Sequence, residues 1–85
     1  MSGERIPIEV DDYWPEDATE DEGVVANWFK REGSTVREGE AICELQVEKV
    51  SFDVHAPVSG ELVDIELAED DEFSRGDVLA WIHPG

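Results

Sequence analysis

The feature that most constrains the fold of this 85-residue chain is an internal repeat. A shift of 37 residues places glycines on glycines and apolar residues on apolar residues. The aligned pairs are Gly23 with Gly60, Val25 with Leu62, Trp28 with Ile65, Val36 with Phe73, Gly39 with Gly76, Glu40 with Asp77, Ile42 with Leu79 and Leu45 with Ile82. A copy this short cannot bury its own apolar residues, so the two copies are expected to cover each other with approximate two-fold symmetry.

The spacing of the apolar residues predicts strands. Short apolar runs alternate with Gly, Pro or acidic turns, whereas the period of an amphipathic helix is hard to find over any useful length. Ile6 to Val10 also alternates, and its proline suits an edge strand. We therefore predict an all-β fold, a flattened barrel or sandwich of two antiparallel sheets with quasi-two-fold symmetry. The expected core includes Trp28, Phe29, Cys43, Phe52, Phe73 and Trp81.

The length of the chain restricts its function. Residues 1–85 are predicted to form a single domain, too small to enclose a catalytic cleft with a second domain. No Ser-His-Asp or Cys-His arrangement and no phosphate-binding glycine loop is evident in the sequence. His55 and His83 lack a metal-ligand partner at the usual spacing, so no metal site is predicted. A carrier, binding or structural domain is favoured over an independent enzyme.

Acidic residues dominate the charge of the chain. The 23 Asp and Glu residues against 6 Lys and Arg residues give a formal net charge of −17. Such a surface repels phosphate backbones and anionic lipids, so neither nucleic acid nor a membrane is an expected partner. Either a partner with a basic docking face or a salt-rich cytoplasm, in which counterions screen the carboxylates, would explain the acidity. The acids occur along the whole chain, which favours the salt-rich explanation.

The cysteine content and the apolar runs indicate the cellular setting. Cys43 is the only cysteine and cannot form an internal disulfide. The sequence has no signal-peptide pattern, and no apolar run approaches the roughly 20 residues that cross a bilayer. We therefore expect a cytoplasmic protein.

Lys49 is the candidate functional residue, one of two lysines with Lys30. It lies between the predicted strands 41–46 and 51–55, at the tip of a tight hairpin. A side chain at a hairpin tip projects into solvent while the paired strands hold its backbone. The repeat places the counterpart of this turn at the end of the sequence or near Val10 to Tyr13. Both termini are therefore expected at the end of the molecule opposite Lys49.

The residues around Lys49 resemble the attachment motif of lipoyl domains. Glu44 to Val50 is similar to the Glu-x-Glu-Thr-Asp-Lys-Ala pattern of that family, and Ala56 to Gly60 matches the Ala-Pro-x-x-Gly that follows it. The likeness is clearest over residues 22–83. It implies the barrel-sandwich hybrid fold of the biotinyl and lipoyl carriers, with lipoic acid attached covalently to Lys49.

The resemblance also implies a set of partners. A lipoate ligase or lipoyl transferase would modify Lys49. The lipoyl arm would then carry acyl groups and reducing equivalents between a thiamine-dependent 2-oxo acid decarboxylase, an acyltransferase core and a dihydrolipoamide dehydrogenase. Val47, Glu48 and Val50 would form the turn that these enzymes read. The domain itself is expected to be monomeric and non-catalytic, and either free-standing or part of a dihydrolipoamide acyltransferase subunit.

Four positions depart from the lipoyl motif, with Gln46 in place of Glu, Val47 in place of Thr, Glu48 in place of Asp and Val50 in place of Ala. Two alternatives therefore stay open. A biotin carboxyl carrier resembles this domain in fold, but it has methionine on both sides of its lysine, whereas Glu48 and Val50 flank Lys49. An unmodified barrel that serves as a structural or protein-binding module is the other alternative, and in it Lys49 would be dispensable.

Overall fold

A computed structural model describes residues 4–85, which contain eight β-strands and one short 3₁₀ turn, Val10–Tyr13. Residues 1–3, which the predicted domain also included, lie outside the described part of the chain. No helix within residues 4–85 is long and apolar enough to cross a membrane. The strands are β1 (Ile6–Glu9), β2 (Glu22–Trp28), β3 (Thr35–Val36), β4 (Ala41–Val47), β5 (Val50–His55), β6 (Gly60–Ile65), β7 (Glu72–Ser74) and β8 (Val78–Pro84).

The strands are arranged in two antiparallel four-stranded sheets, which confirms the predicted fold class. One sheet has the order β1-β8-β6-β3 and the other has the order β5-β4-β2-β7. Every strand pair in both sheets is antiparallel. The two sheets remain separate, so the described strands form a sandwich and not a closed barrel.

The sequence repeat is present in the structure as a repeat of strands. Strands β2, β3 and β4 of the first copy correspond to β6, β7 and β8 of the second. When each strand is exchanged for its counterpart, the β8-β6-β3 part of one sheet becomes the β4-β2-β7 part of the other. The register irregularity between Val25 and Asn27 in β2 recurs between Leu62 and Asp64 in β6. Such bulges bend a strand and increase its twist, which helps each sheet to curve over the other.

The aligned glycines Gly23 and Gly60 lie where two strands approach closely. A Cβ atom on Gly23 would lie 2.6 Å from the carbonyl oxygen of Gln46, and one on Gly60 would overlap the carbonyl of His83. Only glycine fits these two positions without displacement of the neighbouring backbone. The repeat therefore keeps glycine here because of sheet packing.

Strand β5 has β1 as its counterpart in the other sheet. β5 pairs with β4 at one sheet edge, and β1 pairs with β8 at the other. The prediction that Val10 to Tyr13 correspond to the Lys49 turn is wrong. These residues form the 3₁₀ turn, in which the amide of Val10 donates to the carbonyl of Asp77 (3.1 Å). The shift of 37 fails there because the two equivalent strands are connected differently. β5 directly follows its partner β4 through a two-residue loop, whereas β1 precedes its partner β8 in sequence and no such loop joins them.

The ends of the described chain, residues 4 and 85, lie away from the β4–β5 turn, as the repeat predicted. Going back along the chain from that turn, Glu20 contacts the turn itself, and Tyr13 contacts His55 at the far end of β5. Further back, Ile6 pairs with Ile82 near the end of β8. The first and last strands therefore end together, on the side of the molecule remote from the β4–β5 turn.

The space between the sheets is filled by the apolar residues of the repeat. Cys43 is fully buried among them, as predicted. Within residues 4–85 no polar or charged residue is buried. The buried repeat pairs are Val25 with Leu62, Val36 with Phe73, Ile42 with Leu79 and Leu45 with Ile82.

Two aromatic residues expected in the core lie outside it. Phe29 is 46% exposed because it follows Trp28, the last residue of β2, and lies past the covered part of the sheet. Trp81 is only half-buried, since side chains alternate along β8 and its neighbours Ala80 and Ile82 take the two inward positions. The other three expected aromatics pack in or against the core.

The carboxylates lie on the surface with few cations to balance them. Within residues 4–85 three ion pairs form, and all of their side chains are at least 29% exposed. Exposed pairs of this kind stabilise a protein by at most about 1 kcal/mol each. They are Arg5 with Asp64, Lys30 with Glu40 and Arg75 with Asp11. Repulsion among the remaining carboxylates therefore dominates the surface electrostatics.

The free energy of unfolding is expected to rise with salt concentration. The screening length falls from about 10 Å at 0.1 M salt to about 3 Å at 1 M, which weakens the repulsion in the folded state more than in the expanded unfolded chain. Urea unfolding in KCl solutions of increasing strength measures the change. A midpoint that falls with added KCl would show that the ion pairs outweigh the repulsion.

Candidate functional site

Lys49 lies at the tip of the β4–β5 hairpin, where the sequence predicted it. Val47 and Val50 are the last paired residues of the two strands, so Glu48 and Lys49 alone form the loop. The Lys49 side chain is exposed. Val47 is fully buried and fastens the base of the turn to the core, whereas Val50 is 48% exposed. The hairpin thus presents a primary amine on a backbone held by its own strand pairing.

Glu48 adopts a left-handed backbone conformation in this turn, with φ of 57°. A residue with a Cβ atom occupies this region at a cost of about 1–2 kcal/mol relative to the right-handed region. The carbonyl of Glu48 accepts a long hydrogen bond from Nε2 of Gln46 (3.4 Å). The Glu48 side chain makes the stronger bonds that offset the cost of this backbone conformation.

The carboxylate of Glu48 bonds to the segment that precedes β2. Its Oε2 accepts hydrogen bonds from the amides of Thr19 (2.6 Å) and Glu20 (2.8 Å) and from Oγ1 of Thr19 (3.3 Å). The amide bonds from Glu20 and Thr19 lower the pKa of Glu48, because they stabilise the charged form. We call this set of bonds the Glu48 clamp. Glu48, which the family resemblance placed in the turn read by other enzymes, thus uses its carboxylate to bond to Thr19 and Glu20 of the same chain.

Residues 14–21, which we call the acidic loop, are also held at their other end. Trp14 is only 7% exposed and meets Phe73 edge to face, with 5.8 Å between ring centroids. Its Nε1 donates to the carbonyl of Glu20 (3.3 Å), which closes the loop on itself. The sequence pattern did not predict these anchors. A tryptophan amid acidic residues was the available signal, because such a side chain is usually buried.

Replacement of Glu48 by Gln is expected to loosen the acidic loop from the hairpin. The amide oxygen of Gln carries no charge, and a neutral acceptor makes a weaker bond than a carboxylate. The amide proton resonances of Thr19 and Glu20 should shift upfield in nuclear magnetic resonance spectra. Glu72→Gln is the matched control, because it removes the same charge from a nearby exposed position. Equal shifts in the two variants would contradict the clamp.

The same resonances should report the protonation of Glu48. Because the folded-state pKa of Glu48 is lowered, the clamp contributes its full stability above the ordinary glutamate value of 4.5 and loses it as the pH falls through the lower folded value. The two amide shifts are therefore expected to stay constant near neutral pH and to titrate with a midpoint below 4.5. A midpoint above that value would contradict the lowered pKa.

Lys49 is electrostatically distinct from Lys30. Nζ of Lys30 lies 2.9 Å from Oε2 of Glu40, and this bond lowers the pKa of Glu40. Within residues 4–85 Lys49 takes part in no ion pair. Its amine is therefore available to an enzyme that approaches the tip, and acylation there would break none of the ion pairs of the described residues.

The other candidate reactive groups among the described residues are Cys43, His55 and His83. Burial, together with the negative charge of Asp53, raises the pKa of the Cys43 thiol to about 12, so the nucleophilic thiolate is scarce near neutral pH. His55 and His83 are part of β5 and β8, which belong to different sheets. Among the described residues no group of three or more His, Cys, Asp or Glu side chains could hold a metal ion.

Sequence comparisons relate the chain to the biotin/lipoyl family. The Biotin_lipoyl family model, described as biotin-requiring enzyme, matches residues 15–82. The dihydrolipoyllysine-residue acetyltransferase component of the acetoin cleaving system from Bacillus subtilis is 36% identical over 61 residues. That match covers 72% of this chain and 15% of the relative, so the chain spans about a seventh of the relative's length.

Comparisons of structure give the same fold. The lipoyl domain of the 2-oxoglutarate dehydrogenase complex from Azotobacter vinelandii matches with a TM-score of 0.71 and 28% identity, over 95% of this chain and 98% of that domain. A single-chain, multi-domain long-chain acyl-CoA carboxylase matches with a TM-score of 0.77 over all of this chain and 8% of its own length. Its identity is 15%, so this second likeness concerns the fold alone.

Proposed function

The chain belongs to the biotin/lipoyl family and is a lipoyl domain, and we propose that Lys49 is the residue that carries lipoic acid through an amide bond. The observation that carries this proposal is the position of Lys49 in the two-residue loop of the hairpin, exposed and outside every ion pair of residues 4–85. The only other lysine, Lys30, is bound to Glu40.

The geometry of the hairpin suits enzymatic acylation. A ligase or transferase must remove a proton from the lysine amine before the amine attacks an activated acyl group. Strands β4 and β5 hold the backbone on both sides of Lys49, so the enzyme meets the amine in one defined arrangement. Val47 and the Glu48 clamp fasten the turn to the body of the domain, and Val50 remains open to contact.

The domain acts as a carrier within a larger assembly. Lipoic acid supplies a dithiolane that accepts and releases acyl groups and electrons. The residues of this chain present that group on the exposed Lys49 and exclude it from the core. The proposed partners are a lipoate ligase or lipoyl transferase, a thiamine-dependent 2-oxo acid decarboxylase, an acyltransferase core and a dihydrolipoamide dehydrogenase. By analogy with its relatives, the domain would be part of a dihydrolipoamide acyltransferase subunit.

The placement of β1 and β8 supports this role. Polypeptide joined at either end of the described chain would leave from the side remote from Lys49, because the first and last strands end together there. A tether at that side raises the concentration of the arm near partner active sites without covering the amine. The domain itself makes and breaks no bond in this proposal.

The test is the intact mass of the protein produced together with a lipoate ligase and supplied lipoate. We expect a single lipoyl increment, located on Lys49 by proteolysis and fragment sequencing. Lys30→Arg is the matched control and should retain the increment. A biotin increment would replace this proposal with the biotin carrier alternative, and an unmodified protein would favour a structural or protein-binding module.

A further inference from the structure

A small cleft separates the acidic loop from the hairpin that bears Lys49. Residues 15–18 line one wall, including the acidic residues Glu16 and Asp17, and Val47 and Val50 line the other. Glu48 also lines the cleft. The cleft has a volume of about 240 Å³, and its exposed lining is mainly apolar. We call it the hairpin cleft.

The cleft offers apolar surface in an otherwise acidic region. Val50 and Phe29 are the only large hydrophobic residues of the described chain that are exposed, at 48% and 46%. A single exposed hydrophobic residue is ordinary on a protein surface. Val50 differs from Phe29 because it lines a concave site in which the apolar residues Pro15 and Ala18 lie opposite it.

The Glu48 clamp builds this site. Thr19 and Glu20, whose amides it holds, directly follow Ala18 in the opposite wall. Trp14, buried against Phe73, fixes the chain just before Pro15. Both ends of the short wall segment are therefore anchored, and the cleft is formed before any ligand arrives. Preformed sites avoid the entropic cost of ordering a loop on binding.

The position of the cleft identifies its occupant. Its lining includes both neighbours of Lys49, and consecutive Cα atoms lie about 3.8 Å apart, so a group attached to the lysine needs only to fold back. The arm on a lipoyl-lysine is uncharged and ends in hydrocarbon and a ring with two sulfur atoms. Such a group is repelled by no carboxylate and gains by leaving water for an apolar wall. A volume of about 240 Å³ is many times the roughly 10–15 Å³ that a cavity needs to hold one water molecule, so the cleft has room for a small ring.

We propose that the hairpin cleft is a resting site for the dithiolane end of the arm on Lys49, and that Glu48 positions the loop wall of this site. The proposal rests on the proposed function, since it requires lipoylation of Lys49. In the free domain the ring then lies against Val50 and Ala18, where small thiols and reductants reach it less easily. Docking of a partner enzyme on the hairpin would draw the ring out.

The first test uses nuclear magnetic resonance of the full chain with and without lipoyl on Lys49. We expect through-space contacts between the ring protons and the methyl groups of Val50 and Ala18. Their resonances should shift on lipoylation, whereas those of Val36, near the opposite end of the fold, should not. If mass spectrometry finds no lipoyl on Lys49, the proposed function and the resting site both fail. Lipoylated protein without these contacts overturns the resting site alone.

The second test measures how fast a water-soluble phosphine reduces the dithiolane, followed by the loss of its ultraviolet absorption. Val50→Ser and Glu48→Gln, each confirmed as lipoylated by mass, should be reduced faster by a factor on the order of five, because each removes part of the apolar contact or its support. Phe29→Ser and Glu72→Gln are the controls and should match the unaltered domain. Equal rates for all five proteins overturn the proposal.

Discussion

Lys49→Arg is expected to abolish lipoylation and with it all acyl transfer through this domain. Arginine keeps the positive charge and much of the length of lysine, but its guanidinium does not form the amide under these conditions. Intact mass should show no lipoyl increment. Reductive acylation by a 2-oxo acid decarboxylase, measured with a radiolabelled substrate, should fall to background.

The fold of the Lys49→Arg variant should be unchanged, which separates loss of function from loss of structure. Lys49 is exposed and takes part in no ion pair of residues 4–85, so the free energy of unfolding should stay within about 0.5 kcal/mol of the original value. Lys30→Arg should be lipoylated and acylated normally. Acylation that persists in Lys49→Arg but disappears in Lys30→Arg would move the attachment site to Lys30.

Phe73→Ala is expected to produce the largest loss of stability that we predict, about 4 kcal/mol. Phe73 is 2% exposed, so its removal leaves a cavity between the sheets. The variant also loses the edge-to-face contact with Trp14 that anchors the acidic loop. Domains of this kind are stable by only about 5–15 kcal/mol, so urea unfolding should show a much lower midpoint.

Phe29→Ala is the matched control for this variant. It removes the same ring from a site that is 46% exposed, and it should change the free energy of unfolding by less than about 0.5 kcal/mol. The amide resonances of Thr19 and Glu20 should move in Phe73→Ala and stay in place in Phe29→Ala. Similar losses of stability in both variants would contradict the assignment of Phe73, rather than Phe29, to the core.

The repeat and the hairpin were accessible from the sequence because they depend on local patterns. Alternation of apolar residues reports which face of a strand is buried, and a shift of 37 residues aligns Val25 with Leu62 and Leu45 with Ile82, all fully buried. The short polar interval between two apolar runs similarly located Lys49 at a turn. No knowledge of distant contacts is needed for either inference.

The tertiary structure alone decided how the flanking segments use these patterns. The acidic loop looks like solvated chain in the sequence, yet Trp14 and the Glu48 clamp fasten it beside the hairpin. In the clamp, Glu48 bonds to Thr19 and Glu20, which precede it in sequence by 29 and 28 positions. Phe29 and Trp81 were misplaced because exposure depends on where a strand ends and which neighbours take the inward positions. The sequence by itself determined two sheets and an outward lysine, since periodicity is a property of the local chain. The walls around that lysine depend on long-range hydrogen bonds, which periodicity does not encode.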